Sequence, residues 1–316
     1  MTRKLISVVT PCYQEELNAR RCYEAVKAVF APFMDRYDYE HLFADNGSSD
    51  GTLTVLRQLA AEDPRVKVLA YARNFGVEKS VMTLYRHASG DAVITISCDF
   101  QDPPELIAQF IPKWEEGYAV VSGIYTNRSD PWLMTRIRKL YYWLITKISH
   151  EPLVRDFSGY GLLDRSVIDA ISHLDDYSPS VRGLIAATGF KVASVPYVRE
   201  RRERGKSSYN LALYFGTAIN AIISYSILPI RLATFAGLIL SGLSLLMAVV
   251  YALIKIFNWN FQAPGATTIV VLLLFFFGIQ LFFLGVLGEY IGAIHSQVRP
   301  KPFVVIREKI NFKPEQ

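Results

Sequence analysis

Four short polar clusters carry most of the chemistry the sequence offers: Pro11-Cys12-Tyr13-Gln14-Glu15-Glu16, Asp45-Asn46-Gly47-Ser48-Ser49-Asp50-Gly51-Thr52, Arg73-Asn74-Phe75-Gly76 and Ser97-Cys98-Asp99-Phe100-Gln101-Asp102-Pro103-Pro104-Glu105. Together they supply carboxylates, amides and a turn of small residues, the materials of a nucleotide and metal site. Asp45 is an acceptor for a base N–H, and the turn from Gly47 to Gly51 lets a ligand come close to backbone. Asp99 offers hard oxygen to Mg²⁺ or Mn²⁺ bridging a diphosphate. Each cluster has a plainer reading beside this one. Ser-Asp-Gly is a common turn signal, and Asp102 ahead of two prolines reads as a helix cap rather than a ligand. Glu15 and Glu16 read equally as ligands or as acids favouring a helix N-terminus, and Cys98 reads as packing.

The elements that must position these clusters alternate. Runs rich in β-branched and aromatic residues recur at Leu5 to Thr10, His41 to Asp45, Val66 to Tyr71, Ala92 to Ile96 and Ala119 to Gly123. Helical stretches lie between them at Glu15 to Phe30, Thr52 to Ala61, Val77 to Ala88 and Pro104 to Glu116. This β-α alternation predicts an α/β domain with a mainly parallel sheet covered on both faces. In such a sheet ligands bind beyond the carboxyl ends of the strands, and each polar cluster directly follows a strand.

The rest of the composition points to a membrane. Of 316 residues, 51% are apolar and 20% charged, and the mean hydropathy is +0.20. Residues 232–254 and 267–288 hold no charged residue, and at about 1.5 Å per residue each extends over the ~30 Å of a hydrocarbon core. With a short Pro264-Gly265 connection they predict a helical hairpin; the alternative is a pair of buried core helices. Arg199, Arg201, Arg202, Arg204, Lys206 and Arg231 precede the first run, and Arg299, Lys301, Arg307, Lys309 and Lys313 follow the second. The positive-inside bias therefore places both flanks, both termini and the large domain in the cytoplasm. Met134 to His150 and Tyr209 to Leu228 read as interfacial or packing helices. Gly288 and Gly292 form a small-residue pair suited to close helix approach. The expected organisation is a catalytic domain over 1–208, an interfacial helix over 209–228, a hairpin over 229–294 and a basic tail over 295–316. The N-terminus reads as a strand rather than a signal peptide. A formal charge of +5 is too small a surplus to imply nucleic acid, and Cys12, Cys22 and Cys98 lack metal-ligand spacing, so they read as reduced, buried thiols.

Taken in order, the four clusters resemble those of family-two glycosyltransferases of GT-A fold. With two spans added, the chain is similar to the GtrB-type polyisoprenyl-phosphate glycosyltransferases, relatives of dolichol-phosphate mannose synthase, over nearly its whole length. The resemblance implies inverting transfer of a single sugar from a nucleotide sugar, UDP-glucose in the subgroup, to a polyprenyl phosphate such as undecaprenyl phosphate. It implies a Mg²⁺ or Mn²⁺ cofactor and a homo-oligomer such as a tetramer. Residue by residue, Pro11, Tyr13 and Glu15 match the first nucleotide-contact motif, Asp45 the acid that meets the base, and Asn74 lies in the third cluster. Asp99 matches the last acid of the Asp-x-Asp metal motif, with Gln101 beside it. Ser97 replaces that motif's first acid, and Asn46 a frequent second Asp. The segment Arg155 to Arg165 resembles the acceptor-side segment; Gly159 stands where relatives carry Asp, which leaves Asp156 as the acceptor-side or catalytic candidate. Arg202, Arg204 and Ser207 match the basic segment that closes over the diphosphate, Arg202 taking a catalytic role.

A phosphate monoester with a second pKa near about 6 is already largely a dianion at neutral pH, so no dedicated base is expected. Stabilising the departing diphosphate falls to a metal at Asp99 and to Arg202 or Arg204. Arg128, Arg136, Arg138 and Lys139 are candidates for the cradle of the acceptor phosphate, or equally for attraction to anionic lipid. Two rival functions remain at this level. One is a processive polysaccharide synthase, for which the sequence lacks a Gln-x-x-Arg-Trp segment; the other is a membrane-tethered nucleotide-sugar sensor without turnover.

Overall fold

The β-branched run near the N-terminus forms β1 (Lys4–Cys12), and similar runs form β2 (Tyr37–Asp45), β3 (Val66–Tyr71) and β4 (Ala92–Thr95). The computed structural model describes residues 3–127, 136, 157–174, 176–177, 179–198, 228–257, 265–299 and 301–312. Within it, β1 pairs in parallel with both β2 and β4, and β2 with β3. Strands β5 (Val120–Asn127), β6 (Phe157–Asp164), β7 (Val192–Val198) and β8 (Ile306–Ile310) extend the sheet to the order β7-β5-β6-β4-β1-β2-β3-β8. β6 runs antiparallel to β4 and β5, and β8 antiparallel to β3. The α/β class and the mainly parallel sheet are therefore as the alternation predicts.

Helices α1 (Ala19–Phe30), α2 (Thr52–Glu62), α3 (Val77–His87), α4 (Ile107–Glu115), α5 (Arg165–Ser172) and α6 (Val181–Ala187) accompany the strands. Central strands are apolar at consecutive positions because both faces are covered: Val8 and Val9, and Leu42, Phe43 and Ala44, are all fully buried. α1 meets the sheet through Cys22, Tyr23, Val26 and Phe30, spaced along one helical face. It begins at Ala19 rather than Glu15, since the Glu15 carbonyl accepts from both Asn18 N and Ala19 N and forms a turn first.

The chain divides into two compact units, the sheet unit and a two-helix unit. The segment expected as a basic tail contributes β8 to the sheet, so the sheet unit includes residues beyond 1–208. Arg57 pairs with Glu308, and the Asn311 amide donates to the carbonyls of Ala60 and Val66 at 2.7 and 2.8 Å. Those long-range contacts make an edge strand of residues whose basic alternation reads from sequence as a solvated tail.

The second unit contains α7 (Leu228–Phe257) and α8 (Ala266–Val298), 30 and 33 residues long. Both outrun the expected spans of 232–254 and 267–288 and are long and apolar enough to cross a membrane. Most of the apolar side chains described there are exposed, Leu238 69% and Phe282 67% among them, and neither apolar stretch is buried among the described residues. The buried-core-helix alternative therefore fails. The expected interfacial segments lie outside the described residues, Arg136 and Leu228 excepted, and so does the part of the connection between the spans over 258–264.

Candidate functional site

β1 lies between β2 on one side and β4 on the other, so the succession of parallel strands reverses there. In open α/β sheets the crevice at the carboxyl ends of such strands is where ligands bind. Cys12 is in register with Asp45, Asp45 with Ala70, and Val9 with Thr95, which brings the turns after β1, β2, β3 and β4 to one rim. The four polar clusters singled out from sequence thus converge.

The turn after β1 is knitted to the turn after β2. Gln14 has φ +57°, its backbone N–H donates to Ser48 Oγ at 3.0 Å, and its side chain donates to Ser49 Oγ at 3.2 Å. Glu15 N–H donates to Thr52 Oγ1 at 2.9 Å, and Glu16 accepts from Gly51 N–H at 3.0 Å. Glu15 itself is buried, and its carboxylate accepts from the Asn18 amide at 2.7 Å. Pro11 is half-buried at the end of β1, while the Tyr13 ring is exposed on the rim.

Asp45 is 1% exposed. Its Oδ1 accepts from Ser48 N–H at 3.1 Å, but its Oδ2 is buried and has no hydrogen-bond partner among the described residues. Leaving a buried acceptor unsatisfied costs about 1–3 kcal/mol, and such a group in a native fold calls for an explanation. Gly47, at φ +72°, passes so close to the third cluster that a Cβ there would fall 2.6 Å from the Arg73 carbonyl carbon. Asn46 Oδ1 accepts from Phe75 N–H at 2.9 Å, and its amide donates to the Gly76 carbonyl at 3.3 Å. An ionised Asp could not donate, which explains the amide at this position. Asn74 is exposed and accepts from Gly76 N–H at 2.8 Å.

Across the crevice stands the loop after β4. Asp99 and Gln101 are half-buried, Gln101 N–H donates to Asp99 Oδ1 at 3.2 Å, and Phe100 between them has φ +57° with the Arg21 guanidinium 4.7 Å from its ring. Non-glycine residues in this region of backbone space are strained and persist where surrounding structure holds them. Asp102 does the holding. It is 4% exposed and accepts from Ser97 Oγ at 2.9 Å and from the Tyr197 hydroxyl at 2.5 Å. The reading of Asp102 as a helix cap is thus corrected: the cap position of the turn Pro104–Leu106 is held by Pro103, whose ring offers no side-chain acceptor, and Asp102 accepts from Ser97 and Tyr197 instead. Tyr160 braces the same loop by donating to the Pro103 carbonyl at 2.8 Å.

Cys12, Cys22 and Cys98 are buried and free beneath the crevice. Hydrogen bonding among the thiols and then burial push Cys22 and Cys98 well above the ordinary thiol range, so they stay protonated, as their reading as packed thiols requires. His41 lies below the rim with Nε2 2.9 Å from Thr10 Oγ1, and burial lowers its pKa to about 3.

Among the described residues no three His, Cys, Asp or Glu side chains gather closely enough to cage a metal. A hard divalent ion that takes one or two protein oxygens and completes its shell with substrate phosphates and water needs no such cage. Asp99 and the Gln101 amide, half-buried at the crevice, offer oxygen of the chemistry that fits such an ion, whereas the Asp102 carboxylate is 4% exposed and braces the loop.

Of the other expected site residues, Asp156, Arg202, Arg204, Ser207, Arg128, Arg138 and Lys139 lie outside the described residues, and Arg136 is exposed. Gly159 has φ +89°, a conformation that the Asp of the resembling motif would adopt only under strain. Sequence reasoning missed Tyr197 and Tyr160. The alternating burial of β7 marks Tyr197 as inward-facing, but nothing local ties it to Asp102.

Glycosyl transferase family 2 matches residues 7–173. The uncharacterized glycosyltransferase YkcC of Bacillus subtilis is 34% identical over 97% of this chain and 94% of its own length. The SfII prophage-derived bactoprenol glucosyl transferase of Shigella flexneri is 33% identical over 98% of this chain and 99% of its own length. Among solved structures, glucosyl-3-phosphoglycerate synthase from Mycobacterium tuberculosis is 21% identical, with a TM-score of 0.48 over 70% of this chain and 76% of that one.

Proposed function

The chain belongs to glycosyl transferase family 2 and is a glycosyltransferase, and from that premise we propose that it transfers one glucose from UDP-glucose to a polyprenyl phosphate at the cytoplasmic face of a membrane, inverting the anomeric carbon. The orphaned Oδ2 of Asp45 carries the donor half of this reading. A uracil ring offers an imide N–H to such an acceptor, whereas cytosine offers a lone pair there and would be repelled. Relatives named bactoprenol glucosyl transferases support the acceptor half, bactoprenol being a polyprenyl alcohol. Two helices able to cross a bilayer support the site of reaction, and the basic flanks of the spans support its cytoplasmic side.

In this reading Tyr13 and the loop from Gly47 to Gly51 receive the nucleoside, with Asp45 fixing the base. Asp99 and Gln101 would hold a divalent ion, which supplies positive charge to the departing diphosphate as the sugar's bond to it breaks. Ser97, Asp102 and Tyr197 keep that loop in place before the donor arrives, so its reorganisation is not part of the reaction barrier. An oxygen of the acceptor phosphate dianion attacks the anomeric carbon from the opposite face. The new C–O bond forms as the nucleoside diphosphate leaves with the electron pair, and no proton needs removing. Arg202 and Arg204 would add charge at the leaving group, and Asp156 would contact the acceptor side. Arg128, Arg136, Arg138 and Lys139 would cradle the acceptor phosphate.

The test is purified full-length protein with polyprenyl phosphate, Mg²⁺ or Mn²⁺ and a panel of radiolabelled nucleotide sugars. Formation of a lipid carrying one sugar, most rapidly with UDP-glucose, is the expected result. Polymer would mark a processive synthase, and binding without product a sensor.

A further inference from the structure

One corner of the sheet unit concentrates positive charge on aromatic rings. Lys79 Nζ lies 3.2 Å from the centroid of the Tyr177 ring, and Lys301 Nζ 5.4 Å from the same ring. The Arg73 guanidinium lies 4.2 Å over Phe75, and Lys79 and Arg86 both approach Phe303, at 5.5 and 4.6 Å. Among the described residues none of Arg73, Lys79 and Lys301 pairs with a carboxylate. Elsewhere on the unit such pairing is common, as in Lys67 with Glu40, Arg65 with Asp63 and Arg20 with Glu62. The local field is positive enough that the Tyr177 phenol is held below its usual range by a hydrogen bond from Lys79 and the charges of Lys79, Lys301 and Arg73.

Apolar side chains stand exposed beside these cations. Val77, at the start of α3, is 52% exposed, and Val305, just before β8, is 42% exposed. Basic heads over aromatic rings with apolar neighbours suit the water–lipid boundary, where long basic side chains bury their stems and keep their charge in the headgroup layer. Covalent continuity points the same way. Lys301 is three residues past Val298, the last residue of α8. That helix is long and apolar enough to cross a bilayer, so the chain leaves a candidate span only three residues before this lysine. The segment from Lys301 to Val305 then joins the sheet at the carboxyl end of β3, where Ala72 N–H donates to the Val305 carbonyl at 2.9 Å.

We propose that this corner, formed by Arg73, Lys79 and Lys301 with Val77 and Val305, docks on the anionic phospholipid headgroups of the membrane surface and so holds the nucleotide rim close to the lipid boundary. The proposal rests on the membrane half of the functional reading and not on the identity of the sugar.

It is tested with the full chain in nanodiscs of phosphatidylcholine alone and with about one third phosphatidylglycerol, by hydrogen–deuterium exchange. Amides of residues 73–79 and 301–305 should exchange several-fold more slowly in the anionic discs, and about 0.5 M salt should remove the difference. A Lys79→Gln/Lys301→Gln variant should lose that protection while keeping wild-type exchange in β1 to β3 and wild-type transfer in neutral detergent. Equal exchange in both discs, or protection that survives in the variant, would overturn the proposal. Protection in neutral discs only on adding polyprenyl phosphate would also overturn it and assign the corner to the acceptor's own phosphate. A chain that fails to enter either disc would instead refute the membrane reading beneath it.

Discussion

The two loops that face each other across the β1–β4 crevice are built in different ways. The turn after β2 is fastened to its neighbours on the donor side: Ser48, Ser49 and Thr52 to the turn after β1, and Asn46 to the turn after β3. It nonetheless leaves Asp45 Oδ2 buried and, among the described residues, unsatisfied. The loop after β4 is fastened from behind, by Asp102 to Ser97 and Tyr197 and by Tyr160 to Pro103, so that Asp99 and Gln101 stay half-buried at the crevice. The first loop has stored an unmet hydrogen bond that a base can fill, which favours selectivity. The second has placed oxygen donors on a braced, strained turn, which suits charge stabilisation. Binding and chemistry should therefore separate on mutation.

The largest separation is expected at Asp99. Asp99→Asn should lower the transfer rate on the order of 10³-fold, as for loss of a main electrostatic stabiliser, while metal-free UDP binding, read by calorimetry, stays near wild type. Asp45→Asn should act the other way. UDP binding should weaken by about 10- to 100-fold, and preference for UDP over CDP should collapse, because an amide can present a donor to cytosine. Thermal unfolding should show no loss of stability from Asp45→Asn, since the orphaned carboxylate is removed.

Ser97→Asp restores the acid that the resembling motif carries, yet the account expects it to fail. It would set a second carboxylate against Asp102, where Ser97 Oγ now donates at 2.9 Å. The cost should be about 1–3 kcal/mol of stability with no gain in transfer. A faster, equally stable variant would show that the brace is dispensable.

The smallest effect concerns pH. Burial keeps His41 neutral in the fold to about pH 3, whereas in the unfolded chain it protonates near its ordinary value of 6.5. Its contribution to stability is therefore complete above about 6.5 and declines as the pH falls towards 3, by up to about 1.4 kcal/mol per pH unit. Melting curves from pH 7.5 down to 5.5 should show this slope, and His41→Gln should flatten it.

Much of this architecture is legible in the chain. The alternation of Leu5 to Thr10, His41 to Asp45, Val66 to Tyr71 and Ala92 to Ile96 with helical runs locates the parallel half of the sheet, because buried parallel strands must be continuously apolar. Polar residues stand out directly after such runs, so Asp45 and Asp99 are visible as candidates. What stays hidden depends on contacts distant in sequence. β8 becomes a strand only by lying along β3, more than two hundred residues away in sequence, and its exposed Arg307 and Lys309 read locally as a solvated tail. Asp102 before two prolines has the local signature of a cap, and only the Tyr197 hydroxyl from β7 reveals it as a brace. The role of Asn46 likewise appears only once Phe75 and Gly76 are beside it.

Calorimetric titration of the full chain with UDP, with and without Mn²⁺, tests the joint claim about the two loops most directly. The account predicts that Mn²⁺ tightens UDP binding at least about tenfold, that Asp99→Asn abolishes this gain, and that Asp45→Asn weakens binding in both conditions. UDP affinity indifferent to Mn²⁺, or a metal-dependent gain that survives Asp99→Asn, would contradict it.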